Sequence, residues 1–311
     1  MSTVVAMLKD RNEIIQNIFS TPMSVDQQTA NVPEIKEERY LESSTIYQLR
    51  GGVEAEVINN PKFKFAQAGI EEHAKEELGN ILIRSFGYNA DQNGMFLDGN
   101  RFNRVAIDVD WLVVVRKKSQ PIAFGAGTFI TPFLFYVNSA MVLPEYQPLG
   151  IGSIAIALLL KIAREYALDI NKYEPDIVCR THNRSAASAL LPALVDSKIS
   201  SEIDKTTYSQ MIFERTANHL KCSYDKTTGI SKDVYPCELP TNEKVSNKRI
   251  IEAFRHLESR DACYVTGKLN VRFINRLLSK TVNESLRTME RIPERSFWEN
   301  ATISNLCYGK V

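Results

Sequence analysis

The sequence predicts an α+β fold: a central, mostly antiparallel sheet flanked by helices, followed by a largely helical C-terminal extension. Three observations carry this expectation. Residues 105–142 hold three β-branched and aromatic runs separated only by short polar turns, as consecutive antiparallel strands require. Directly after them, Ile151, Ile154, Ala155, Leu158, Leu159, Ile162, Ala163 and Tyr166 recur at helical spacing and form one apolar face. Beyond about residue 203 the chain turns polar and helical in period, as in "RIIEAFRHLESR" and "VRFINRLLSKTVNESLRTMERI".

Taken in order, the chain divides into residues 1–45, 46–200 and 201–311. The first segment reads as a short amphipathic helix and a polar, proline-containing linker. In the second, "QLRGGVEAEVI" is expected as a first strand. "GIEEHAKEELGNILIRSFG" is expected as a helix carrying Ala74, Leu78, Ile81 and Leu82 and closing at Gly87. "VAIDVDWLVVVRKKSQPIAFGAGTFITP" gives two strands joined by a charged turn at residues 117–121, and "FLFYVNSAMVL" gives a third. After the long helix come a short buried strand, "PDIVCRT", and a helix, "NRSAASALLPALV", with Asn183 placed as its N-cap. The third segment is either a helical subdomain or a lid and dimerisation extension, the latter implying a homodimer. It is also the candidate source of the closing strands of the sheet, with "TTYSQMIFERT" as one such stretch.

Composition excludes several classes of function. A hydrophobic share of 44% with 24% charged residues is that of an ordinary globular chain, so wholesale disorder is not expected. The formal net charge of +1 supplies no general field to gather nucleic acid or an anionic membrane. Five scattered cysteines without a C-x-x-C pair argue against structural zinc and against a disulfide framework. The first residues lack a signal-peptide pattern, and the longest apolar stretch, "IAIALLL", is far shorter than the roughly 20 residues a membrane span needs. A cytoplasmic location is the expectation.

The stretch "MVLPEYQPLGIGSIAIALLLKIAREY" carries the chemistry. It joins a strand to a helix through a corner with Gln147, Gly150 and Gly152. A helix N-terminus leaves amides unpaired and bears about half a positive charge, which suits a phosphate. Glycine removes the side chains that would fend the phosphate off, and Gln147 can add a neutral donor. A plain tight turn before a buried helix would use the same residues. The longer string V-x-P-x-x-Q-x-x-G-x-G, with Val142, Pro144, Gln147, Gly150 and Gly152 all present, is more specific.

That string, with the downstream "IVCRTHNRSAASAL", resembles the acetyl-CoA-binding signature of the GNAT acyltransferase superfamily over roughly residues 60–200. A Rossmann G-x-G-x-x-G and a G-x-x-x-x-G-K-[ST] loop are both absent. The resemblance implies that backbone groups of Ala140, Met141 and Val142 hold a pantetheine arm. It also implies that the amides of Leu149, Gly150, Ile151, Gly152 and Ser153 hold a pyrophosphate, and that Asn183 contacts the donor near its thioester. The implied donor is acetyl-CoA or a longer acyl-CoA, the acceptor a primary amine, and the reaction a direct attack on the thioester carbonyl.

The sequence departs from that pattern in two places. Leu190 stands where many relatives carry a tyrosine acid, and Val178 where a glutamate base is common. His182 alternates with Arg180 and Val178 on one strand face and is either a base in the cleft or a plain strand-end histidine. Tyr136 and Tyr146 are candidate acids toward the thiolate, with core packing as the alternative. Asp108 and Asp110 either hold a cationic acceptor or are solvated turn carboxylates. The rings of Phe129, Phe133, Phe135 and Tyr136 are either core or the walls of a channel for a longer acyl chain. Two function classes follow: an N-acyltransferase, or a non-catalytic acyl-CoA-binding or assembly protein that keeps the cofactor corner.

Overall fold

The strand pattern dominates the architecture. A computed structural model describes residues 44–49, 52–86, 102–170, 172–202, 206–235 and 245–281. The chain separates into two units, 1–40 and 41–311, and all described residues lie in the second. The expected N-terminal helix and linker, the Gly87 cap and the last thirty residues lie outside the described residues.

Among the described residues the strands are β1 (Ser44–Leu49), β2 (Val53–Asn59), β3 (Trp111–Lys117), β4 (Gln120–Thr131), β5 (Leu134–Val142), β6 (Asp176–Thr181), β7 (Leu194–Ile199), β8 (Ile230–Ser231) and β9 (Ala262–Leu269). They form one mixed sheet in the order β1-β2-β3-β4-β5-β6-β9-β7, with β8 paired to β9. Every pairing is antiparallel except β5 with β6. The helices are α1 (Pro61–Ala68), α2 (Glu71–Phe86), α3 (Ile151–Ile170), α4 (Arg184–Leu190), α5 (Thr207–His219), α6 (Lys248–Ala253) and α7 (Val271–Thr281).

The central strands are apolar on both faces because helices cover both. Trp111, Leu112, Val113, Val114 and Val115 of β3 are all buried, as is the run Ile122, Ala123 and Phe124 of β4. α3 packs across β3, β4 and β5, and Ala155 comes within 3.5 Å of where a Cβ on Gly125 would stand, so two small residues set the close approach. α2 also crosses β4 and β5. Ser85 of α2 reaches Met141 Sδ at 3.3 Å, whereas Val142 faces Gly152 of α3. Successive strand residues point to opposite faces, so α2 and α3 sandwich the sheet. A second, smaller cluster lies under α5, where Ile212 and Phe213 meet Tyr136, Val178 and Tyr264.

Several expectations are corrected. "QLRGGVEAEVI" is not one strand: β1 ends at Leu49 and β2 starts at Val53, and Gly52 takes φ +67°, a turn conformation that an L side chain rarely adopts. The valine and isoleucine of "VAIDVD" lie in a π-helical turn (Asn103–Ile107), and β3 begins only at Trp111. "NRSAASALLPALV" is helical to Leu190; Pro192 falls in a 3₁₀ turn and Leu194 already belongs to β7. "TTYSQMIFERT" is the body of α5, started by the Thr206 side chain accepting from Ser209 N–H. The strand that fills the sheet is "ACYVTGKL", β9, which wedges between β6 and β7.

The tight β4–β5 hairpin predicts a specific sensitivity. A Cβ on Gly127 would stand 2.4 Å from Phe135 Cζ in the core, so Gly127→Ala is expected to lower stability by about 1–3 kcal/mol. Urea unfolding measures it, and an unchanged midpoint contradicts the packing described.

Candidate active site

The site begins where two neighbouring strands part. β5 and β6 pair from Leu134 opposite Asp176 to Val137 opposite Cys179, and no further. The next residue, Asn138, is the extra residue of a bulge, because Ala126 opposes Ser139 while Gly127 opposes Val137. A bulge bends and twists the strand that carries it, so β5 veers away from β6. The bulge is tied down by side chains: Asn138 Nδ2 donates to Arg104 O at 3.1 Å, and Ser139 Oγ to Val105 O at 3.1 Å. Beyond it, Ala140, Met141 and Val142 remain bonded to β4 on one side only, and their other edge lines a cleft of ≈ 1910 Å³.

The mouth of this cleft is the glycine corner. A 3₁₀ turn (Pro144–Leu149) leads into Gly150 at φ +71°, and α3 follows. Gly150 N–H donates to Gln147 O at 3.3 Å, and the Ser153 and Ile154 amides donate to Gly150 O at 3.1 and 3.3 Å. The amides of Gly150 and Ser153 are therefore engaged within the corner. Those of Ile151 and Gly152 find no backbone acceptor among the described residues. Of the five amides expected to be bare, two are thus engaged, and Ile151 and Gly152 are left at the positive end of a 20-residue helix, one residue or more beyond the 3₁₀ turn that holds Leu149. Leu149 is 63% exposed and Ile151 is buried in the core, and neither residue lines the cleft, whereas Gly150, Gly152 and Ser153 do. Gln147 Nε2 donates to Val142 O at 3.2 Å, which staples the corner to the end of β5.

The deep end is built from β5, β6 and the segment before β9. Tyr136, Arg180 and His182 all line it. Burial pushes the Tyr136 phenol well above its ordinary value, so it stays protonated and can act as a donor. His182 Nδ1 lies 2.9 Å from the Asp261 carbonyl, which can only accept, so Nδ1 carries the proton and the neutral ring keeps its lone pair on Nε2. Burial lowers the imidazole pKa, the Asp261 carbonyl pulls it back up, and Arg184 lowers it further; the net shift is downward. Asn183 caps α4 as expected, its Oδ1 accepting from Ser185 and Ala186 N–H at 2.8 and 3.2 Å, which leaves Nδ2 as a donor beside the cleft.

Other expected residues are placed elsewhere. Tyr146 does not line the cleft; its ring packs on the core with Lys117 Nζ 5.5 Å above it. Asp110 is likewise absent from the lining, because its Oδ2 accepts from Phe129 N–H at 2.7 Å and burial raises its pKa. Asp108 does face the cleft but is paired with Lys62 at 2.9 Å. Phe129 and Phe135 form an aromatic cluster with Trp111 and Tyr166, and Phe133 stacks edgewise on Tyr173, so these rings do not wall a channel.

Arg180, Cys222 and Tyr235 come to the deep end without having been singled out as site residues. Arg180 Nη1 donates to Cys222 Sγ at 3.4 Å, and the Tyr235 hydroxyl accepts from His182 N–H at 3.3 Å. Burial pushes the Tyr235 phenol up to about 12. An arginine inside the apolar run "IVCRT" was the one local signal available. Because burial dominates the His182 shift, NMR titration is expected to give a pKa below the ordinary imidazole value of about 6.5. A value above it contradicts this environment.

Comparison with known proteins agrees with this geometry. Residues 76–187 match the family model described as Acetyltransferase (GNAT) family. Among solved structures, an IAA acetyltransferase from Bacillus cereus ATCC 14579 is 11% identical, with 69% of this chain and 99% of that chain covered and a TM-score of 0.34. The ribosomal-protein-S18-alanine N-acetyltransferase from Escherichia coli is 10% identical, covering 69% and 94%, with a TM-score of 0.33. A putative acetyltransferase from Pyrococcus horikoshii is 12% identical, covering 71% and 91%, with a TM-score of 0.37. No curated protein matches the chain. The matched residues, just over a third of the chain, hold most of α2, the bulged β5, the glycine corner, α3, β6 and the Asn183 cap, so the segment 76–187 is the part of the chain that is similar to the GNAT acetyltransferase family.

Proposed function

We propose that this protein transfers an acetyl or other short acyl group from acyl-CoA to a primary amine by direct attack. The observation that carries the reading is the unengaged amide of Gly152, a residue that lines the cleft at a helix N-terminus beside the open edge of β5, with the unengaged Ile151 amide next to it in the chain. A diphosphate fits the amides, and a pantetheine arm fits main-chain groups of Ala140, Met141 and Val142 along the edge. Asn183 Nδ2 stands on the opposite wall. A long acyl chain is disfavoured because Phe129, Phe133 and Phe135 are already packed against other rings.

Acyl-CoA supplies an activated carbonyl carbon. The amine nitrogen bonds to that carbon, the carbon–sulfur bond breaks, and the electron pair leaves on sulfur. His182 Nε2 takes the proton released from nitrogen, as a neutral imidazole at neutral pH can. Tyr136, kept protonated by burial, donates to the thiolate. Developing charge on the carbonyl oxygen meets a backbone amide of β5 at the bulge. Positioning supplies much of the remaining acceleration, which is why neither the usual tyrosine nor the usual glutamate is indispensable.

Three measurements test this. Thiol release with acetyl-CoA and a panel of primary amines is expected to show turnover; CoA binding with no turnover on any amine supports a non-catalytic binding protein instead. Gly150→Asp meets no atom within 4 Å of its Cβ, and although φ +71° strains any L side chain, Asp is among those that adopt that region most readily; it brings a negative charge to the phosphate position, and thermal unfolding of the variant separates lost binding from lost fold. CoA affinity by calorimetry should fall at least about tenfold, and unchanged affinity contradicts the assignment. His182→Gln should lower kcat about 100-fold or more with the KM for acetyl-CoA unchanged, and wild-type kcat/KM should fall off on the acid side only below the ordinary imidazole value.

A further inference from the structure

Arg180 is a charge that the transfer chemistry leaves unused. It is the last residue but one of β6, on the same face as Val178, which packs against Tyr136 and Phe213 in the cluster under α5. Its Nη1 donates to Cys222 Sγ, a weak acceptor, at 3.4 Å. Its Nε is enclosed and without a partner among the described residues. The groups around it are the phenols of Tyr136, Tyr235 and Tyr264 and the Cys222 sulfur, none of them a carboxylate.

An enclosed guanidinium cannot shed its proton, so it needs an anion. Among the described residues, the nearby acidic side chains are committed elsewhere. Asp261 pairs with Lys232 at 2.7 Å, Asp233 with Arg260 at 3.5 Å, and Asp176 with Lys268 at 3.9 Å and the Tyr208 hydroxyl. The donor's diphosphate does not fill the role either, because the α3 N-terminus packs on the other face of the sheet, where Val142 meets Gly152. The described residues thus offer Arg180 no anion, and a second substrate can bring one.

We propose that Arg180 binds a carboxylate on the acceptor, so that the amine acylated belongs to a small amino-acid-type molecule. The inference rests on the acyl-transfer reading above and names its acceptor class. His182 lies two residues along the same strand, about 7 Å away between Cα atoms. An amine that reaches His182 Nε2 while its carboxylate reaches the guanidinium must carry both groups on one compact skeleton. A carboxylate can bridge two guanidinium nitrogens, which Cys222 alone cannot do.

The test compares the twenty standard amino acids with their decarboxylated amines and their carboxamides, using acetyl-CoA. Wild-type protein is expected to prefer one or more carboxylate-bearing members by at least about 100-fold in kcat/KM. Arg180→Gln should erase that preference mainly through the KM of the amino acid, with the KM for acetyl-CoA and the rate on decarboxylated amines unchanged. Calorimetry of the same compounds with protein saturated in CoA gives a second readout. Turnover with no carboxylate preference overturns the anchor while keeping acyl transfer. Carboxylate-dependent binding without turnover keeps the anchor and overturns acyl transfer. Equal losses on all acceptors in the glutamine variant mean a structural arginine and overturn the proposal, and if that variant does not fold, the wild-type preference alone decides.

Discussion

The four-residue limit on the β5–β6 pairing is the constraint from which the rest follows. Had the parallel ladder continued past Val137 and Cys179, the edge of β5 would be consumed by β6 and no cleft would exist. The bulge at Asn138 ends it, and two side-chain bonds to the backbone of residues 104 and 105 hold the bulge in place. α3 then starts where β5 ends, so the same divergence that opens a strand edge also sets a helix N-terminus at its mouth. One geometric event produces both halves of the binding surface.

Burial produces the chemistry at the other end. The low-dielectric floor disfavours charge on both Tyr136 and His182, so the phenol is held protonated and the imidazole is held neutral. These are the forms a donor and an acceptor of protons need, and a single cause sets both. Asp261 contributes through its carbonyl, which fixes the tautomer, while its carboxylate is spent on Lys232. Arg180 is the exception on that floor: a fixed charge that no carboxylate of the described residues balances.

How much of this was legible in the sequence depends on how local each feature is. The long helix α3, the strands β3 to β6 and the Asn183 cap were readable because periodicity and capping act within a few residues. β9 was not, because its partners are remote: Thr266 Oγ1 bonds Ile177 O, 89 residues away, and Cys263 Sγ bonds Thr181 O, 82 away. The β1–β2 hairpin was read as one strand because its reversal depends on a backbone angle at Gly52 and not on residue pattern alone. Tyr146 and Asp110 were proposed for their chemistry, but a side chain's direction is set by what packs beside it, and Lys117 and the Phe129 amide claimed them.

The sequence by itself determined the strand–corner–helix unit at residues 141–166, because glycine conformation, helix dipole and apolar spacing are properties of adjacent residues. Only the tertiary structure decided which amides of the corner are engaged, which way His182 presents its lone pair, and that Arg180 meets no counter-ion among the described residues. Those outcomes depend on hydrogen bonds and desolvation between segments far apart in the chain, and no local pattern encodes them.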